Sequence, residues 1–215
     1  MIATTLVLSA TAFVLNALVA AAVFAAAAWC GTLTADWLCA GRAPFADGPT
    51  PVAVPRWPFA LAGACIALAL VFQGASGPHL TVVAFMLFAL AGCAAADLRC
   101  GVLPDMLTLP PLALIVGMGY VRHDWGPAVG GAIVFVPFAL AALVTRGRGM
   151  GWGDVKLAAL GGALLGAADA TLAFMFAAVA AYAVARLTGG LRTVIAFGPY
   201  LATSIAASLA LMRTP

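Results

Sequence analysis

Glutamate is absent from this 215-residue chain, and charge of any kind is scarce, at 8% of residues against 65% hydrophobic. A chain so poor in charge cannot cover a soluble surface, and without a basic cluster it has no means of neutralising a nucleic-acid backbone. Only two histidines occur, His79 and His123, each at the end of an apolar segment where a lone histidine is more often interfacial than catalytic, so a Ser-His-Asp hydrolase is not expected. The five cysteines, at 30, 39, 65, 93 and 100, contain no Cys-x-x-Cys, so a tetrahedral zinc site of the usual spacing is not expected, and no metal or cofactor is. The glycine-rich stretch beginning at Gly147 has neither Gly-x-Gly-x-x-Gly nor Gly-x-x-x-x-Gly-Lys, which excludes a phosphate-binding loop in its usual form.

What the chain has in abundance is apolar sequence in runs long enough to cross a bilayer, for which about 20 residues are needed. Hydrophobic segments fall at residues 2–29, 58–75, 80–97, 106–121, 128–145, 155–166, 168–187 and 194–212. They predict an all-α polytopic membrane protein, a bundle of about eight transmembrane helices. No Lys or Arg precedes the first segment, so it reads as a retained helix rather than a cleaved signal. Residues 30–57 carry Asp36, Arg42, Asp47 and Arg56 with prolines at 44, 49, 51 and 55, a density that predicts an irregular loop. The expected organisation is therefore 1–57, a membrane helix plus a short Pro-rich cytoplasmic loop, and 58–215, a membrane domain.

The ten basic residues fix an expected orientation. With the N-terminus outside, Arg42, Arg56, Arg99, Arg146, Arg148, Lys156, Arg186 and Arg192 fall on the inner side, leaving Arg122 and Arg213 outside. Asp97 and Asp154 then share the cytoplasmic face, whereas His79 and His123 lie at the outer one.

Two polar stretches on that inner face attract attention. In the first, Asp97-Leu98-Arg99-Cys100-Gly101-Val102-Leu103-Pro104-Asp105, proline disfavours helix at Leu103 and predicts a turn, with Asp105 or Thr108 available to cap the next helix. Arg99 has a plain explanation as an ion-pair partner of Asp97. In the second, Gly147, Gly149, Gly151 and Gly153 alternate into Asp154-Val155-Lys156, a poor strand and a worse helix until the aspartate. Taken alone, Asp154 is first of all a candidate N-cap. Gly161-Gly162 and Gly166 beyond it suggest close helix packing.

Together the stretches resemble the type IV prepilin peptidases, membrane aspartic proteases with a Gly-x-Gly-Asp motif. The resemblance is carried by Asp97 with Leu103-Pro104-Asp105 and Leu107-Thr108-Leu109-Pro110, by Gly149-Met150-Gly151-Trp152-Gly153-Asp154-Val155-Lys156, and by Phe197-Gly198-Pro199-Tyr200. It implies Asp97 and Asp154 as the catalytic pair, with Asp105 the lesser candidate for the first role. Gly149, Gly151, Gly153, Lys156, Pro104, Phe197, Gly198 and Pro199 would support the motifs or lie near substrate. It further implies a multi-pass protein of the bacterial inner membrane, active site facing the cytoplasm, that removes the short basic leader from prepilin-like or pseudopilin precursors. Many members carry paired Cys-x-x-Cys motifs and methylate the new N-terminus. Their absence here argues against methyl transfer.

Two carboxyls sharing a proton supply both the base and the acid that peptide hydrolysis needs without a metal. Asp154 opens a helix and Asp97 closes one, which assigns Asp154 as the ionised base and Asp97 as the protonated acid, unless Lys156 or Arg99 overrides the helix dipoles. A presenilin-type protease shares Gly-x-Gly-Asp but wants a Tyr-Asp pair, and here Ala96 precedes Asp97. The alternatives of another class are a non-enzymatic assembly factor and a small ion- or proton-coupled transporter using the same aspartates.

Overall fold

The computed structural model describes residues 2–40, 54–147, 150–187 and 196–211, with side chains from residue 10 onward. Among the described residues there are eight helices and no strand: α1 (Ile2–Cys39), α2 (Trp57–Phe72), α3 (Gly77–Cys100), α4 (Asp105–Val121), α5 (Gly126–Val144), α6 (Trp152–Leu165), α7 (Ala167–Leu187) and α8 (Gly198–Leu211). Four are long and apolar enough to cross a membrane: α1 over Ala10–Cys39, α3, α5 and α7. The others are shorter, and α6, at 14 residues, spans only about 21 Å of a hydrocarbon core about 30 Å thick.

Seven of the expected segments each match one observed helix with ends within four residues, residues 194, 195 and 212 of the last lying outside the described residues, and the first departs further. Instead of stopping near Trp29, α1 runs on through Cys30-Gly31-Thr32-Leu33-Thr34-Ala35-Asp36-Trp37-Leu38-Cys39. No proline interrupts this stretch, Thr32 and Thr34 return their hydroxyls to the Trp29 and Cys30 carbonyls, and Ala35 packs fully buried against Ala95 and Ala96 of α3. The expected loop therefore loses its first ten residues to helix, and its proline-rich part at 41–53 lies outside the described residues, as do Gly149 and Arg148.

Local chemistry explains the boundaries. Proline sits in the first turn of α2, α3 and α5, where its missing N–H costs nothing. Gly101 ends α3 in the left-handed conformation, φ 61°, and donates its N–H to the Asp97 carbonyl. Pro104 is the N-cap of α4, and neither Asp105 nor Thr108 caps it. Thr108 is buried with its hydroxyl turned back to the Pro104 and Asp105 carbonyls, and the Asp105 carboxylate is engaged elsewhere.

The bundle is centred on α3, whose second half is buried almost continuously from Ala89 to Asp97. α1 and α8 pack along it, and α8 also contacts α6, which lies against α5 and α4. Backbones meet where glycines face each other: a Cβ on Gly130 of α5 would come within 2.5 Å of the Gly162 carbonyl, and one on Gly162 within 2.6 Å of the Gly130 carbonyl. That contact, anticipated from Gly161-Gly162, lets van der Waals packing and the small-residue rule hold α5 to α6 without a polar clasp. Large apolar side chains such as Leu15, Val144 and Leu187 remain exposed, as lipid-facing residues would be. Trp57, Trp125 and Trp152 stand exposed at helix starts, in keeping with interfacial anchoring.

Candidate active site

Asp97 lies one turn from the end of α3 with 7% of its surface exposed. Its Oδ2 accepts a hydrogen bond of 2.8 Å from the Gly198 backbone N–H, the first residue of α8. The Phe197-Gly198-Pro199 turn is thereby joined to the first aspartate 101 positions earlier. No larger residue fits there, because a Cβ on Gly198 would stand 2.8 Å from Oδ2 and 3.1 Å from the Asp97 Cβ.

Asp154 is not the N-cap of α6. That position belongs to Gly151, and Asp154 falls in the first turn three residues on, where a carboxylate reaches back to the cap's own N–H. The Gly151 N–H does hold it, so half of the structural explanation stands. The other half does not, since Asp154 Oδ1 is buried without any hydrogen-bond partner. Burial, and then the nearby Asp97 charge, push the Asp154 carboxyl up to about 6 against the Gly151 hydrogen bond. Asp97, 57 positions earlier in sequence, thus acts on Asp154 where α8 packs against both α3 and α6.

The two aspartate motifs are also stitched together. A Cβ on Gly153 would come within 2.7 Å of the Leu103 Cβ, so the loop after α3 lies directly on the start of α6. Lys156 Nζ meets Asp105 Oδ1 at 2.6 Å. Pro104 sits between these contacts, holding Leu103 extended before α4. Asp105 is therefore an ion-pair partner of α6, exposed on its side chain at 58%, and not a member of the buried pair. Arg99 does not pair with Asp97. Its Nη1 lies 2.7 Å from Asp36 Oδ1 on α1, while Arg56 Nη2 lies 2.5 Å from Asp36 Oδ2.

Asp36 belongs to no motif and reads in the sequence only as a loop position; its partners are 20 and 63 residues away. Cys39 and Cys100, also unanticipated as partners, are joined by a disulfide with Cα atoms 6.4 Å apart, tying the end of α1 to the end of α3. Cys30, Cys65 and Cys93 are free. Among the described residues no group of three or more His, Cys, Asp or Glu is arranged to hold a metal ion. His79 lies 18 residues before Asp97 on α3, about 27 Å along the helix, at the far end of the bundle.

A pair of carboxylates, one with a buried oxygen lacking a hydrogen-bond partner and both steadied by backbone N–H groups, is the equipment of acid–base hydrolysis. Comparison with known proteins agrees. The model of the type IV leader peptidase family matches residues 81–186, a region containing both Asp97 and Asp154. Two proteins named prepilin leader peptidase/N-methyltransferase, from Burkholderia pseudomallei strains 1026b and K96243, are each 37% identical over 163 residues, covering 68% of this chain and 51% of theirs. The chain spans about half the length of these curated relatives. No solved structure gives a significant match. By its matched region and its relatives, the chain belongs to the type IV leader peptidase family.

Proposed function

We propose that this chain is an aspartic endopeptidase of the bacterial inner membrane that removes the basic leader from prepilin-like or pseudopilin precursors, with Asp97 and Asp154 as its catalytic pair on the cytoplasmic side. The observation that carries this reading is the Asp154 Oδ1 atom, buried, unpartnered and within the field of Asp97. A buried oxygen without a partner is costly, and a substrate carbonyl or a lytic water is the group that would complete it.

In the proposed mechanism the ionised member of the pair takes a proton from water, which attacks the scissile carbonyl as the protonated member gives its proton to the carbonyl oxygen. Collapse of the tetrahedral intermediate returns a proton to the leaving amine. The expectation of a neutral Asp97 considered the end of α3 alone. Because α8 begins against the same carboxylate, each aspartate has one oxygen held by an N–H at a helix start, Asp97 by Gly198 and Asp154 by Gly151. The dipole asymmetry is thus removed, and one proton belongs to the pair.

Gly149, Gly151 and Gly153, with Phe197 and Pro199, are proposed to border the substrate segment. The eight helices are proposed to form one membrane-embedded bundle, with the basic residues favouring the inner side. Transport by the same aspartates draws no support from α3, whose buried residues between Val83 and Ala96 are Val, Ala, Met, Leu, Gly and Cys. The relatives' name couples cleavage to N-methylation, which does not favour the expectation against methyl transfer.

Coexpression with a precursor bearing a basic leader, read by gel shift and by the mass of the new N-terminus, tests the reading. Wild type is expected to cleave, and Asp97→Asn and Asp154→Asn, inserted normally, are not. An uncut precursor with all three proteins sinks the proposal, and a 14 Da increment on the mature terminus would report methylation (about one methyl group).

A further inference from the structure

Each aspartate motif carries a cation two positions after its aspartate, Arg99 after Asp97 and Lys156 after Asp154. Both cations meet a carboxylate from another helix: Arg99 meets Asp36 of α1 at 2.7 Å, and Lys156 meets Asp105 of α4 at 2.6 Å. We propose that Asp36 and Asp105 are positioning residues that offset these two built-in cations, so that Asp97 and Asp154 share one proton with less neighbouring positive charge to discharge it. The inference rests on the aspartate-pair reading above.

A helix turns residues i and i+2 to different faces, so neither cation touches its own aspartate. Contact is not required. In surroundings of low dielectric, a unit charge about 10 Å away still moves a carboxylate by about one pH unit, whereas a close ion pair presents only a dipole. A free Arg99 or Lys156 would favour the doubly ionised pair, which holds no proton to give to the substrate. The Asp36 contact is suited to cancelling charge more than to fixing geometry. Asp36 Oδ1 and Arg99 Nε both lack an aligned hydrogen bond although the ions are in contact. The second oxygen of Asp36 takes Arg56, whose guanidinium also lies 5.8 Å from the Trp29 ring centre, so the triad carries one net positive charge where the two arginines without Asp36 would carry two.

The other charged and titratable groups on elements packed around the pair do not fill this role. α5 has none, and Arg146 lies in the turn beyond it. Arg186 ends α7, Tyr200 stands in the first turn of α8, and Cys93 lies one turn before Asp97 on α3. Among the described residues neither Arg146 nor Arg186 forms an ion pair with either aspartate.

The test is the pH profile of kcat/KM for precursor cleavage by the full chain in detergent, comparing wild type, Asp36→Asn, Asp105→Asn, Asp36→Asn/Arg99→Gln and Asp105→Asn/Lys156→Met. The profile is expected to move to lower pH by about one unit in Asp36→Asn and about half a unit in the more exposed Asp105→Asn. Each double variant should return toward the wild-type position. Profiles that stay in place while rate and thermal stability fall, with doubles no better than singles, would show mere helix stapling and overturn the inference. Should Asp36→Asn fail to fold, the exposed Asp105 arm decides alone. Asp97→Asn and Asp154→Asn run alongside: turnover in either removes the catalytic pair itself, a result separate from an unmoved profile.

Discussion

Gly198 approaches Asp97 so closely that the hydrogen bond and the steric limit have the same length: the N–H meets Oδ2 at 2.8 Å, and a Cβ would meet it at 2.8 Å as well. Asp97 is buried and cannot step aside. Gly198→Ala is therefore expected to reduce cleavage about 100-fold by displacing the proposed catalytic carboxylate on the order of 1 Å, while helical content by circular dichroism stays as in wild type. Cleavage within a few fold of wild type would separate the α8 turn from the chemistry.

The Asp154 carboxyl, raised to about 6 by burial and by Asp97, sets a sign for both activity and stability. In the proposed mechanism activity needs the shared proton, so kcat/KM is expected to fall as pH rises through about 6, the limb that belongs to the free enzyme. For stability, the folded chain holds this proton more tightly than the unfolded chain, whose carboxyl titrates near 3.8. Stability is thus lost as pH rises between those values, and the loss is complete above the folded one. Asp154→Asn removes that loss. Its melting temperature in detergent should exceed that of wild type by several degrees at pH 7.5 and match it near pH 4 (order of magnitude from). Parallel curves at every pH would contradict the shift.

Eight apolar segments and both aspartates are legible in the sequence because each rests on a local signal: length and hydropathy for the helices, glycine spacing and a Pro-broken turn for the motifs. The end of α1 is not legible. Polar Thr32, Thr34 and Asp36 look like loop residues until they are set beside the α3 surface that receives Ala35 and Asp36. The pairing of Arg99 is illegible for the same reason, since its sequence neighbour Asp97 is a plausible partner and Asp36 is 63 positions away. Long-range partners of ordinary residues leave no periodicity to read.

Glycines 151 and 153, equivalent by sequence, have different surroundings and should answer differently to alanine. At Gly153 a Cβ overlaps Leu103 at 2.7 Å, a contact that aligns the two motifs. Gly153→Ala is expected to lower both activity and melting temperature, with overpacking costing about 1–3 kcal/mol. Gly151 has an ordinary extended backbone, φ −75° and ψ 148°, and its Cβ would make only ordinary contacts, with Asp154 Oδ2 at 3.5 Å and the Gly153 backbone N at 4.0 Å. Gly151→Ala should fold and melt like wild type yet raise KM severalfold if the substrate lies along this backbone. An unchanged KM would assign Gly151 to the turn alone.

The disulfide between Cys39 and Cys100 joins two helix ends that other contacts already hold, the Asp36–Arg99 ion pair and the Ala35, Ala95 and Ala96 packing. Its loss should therefore loosen the unfolded chain more than the folded site. Cys39→Ser is expected to lower the melting temperature by several degrees and leave cleavage within about threefold, since Asp97 is held independently by Gly198. The bond itself is checked by alkylating the denatured chain before mass measurement. Without reductant the three free cysteines, Cys30, Cys65 and Cys93, take up label; with reductant all five do. Five labels in both cases would mean that Cys39 and Cys100 are thiols in contact, and the melting temperature of Cys39→Ser should then match wild type, because no covalent loop is lost.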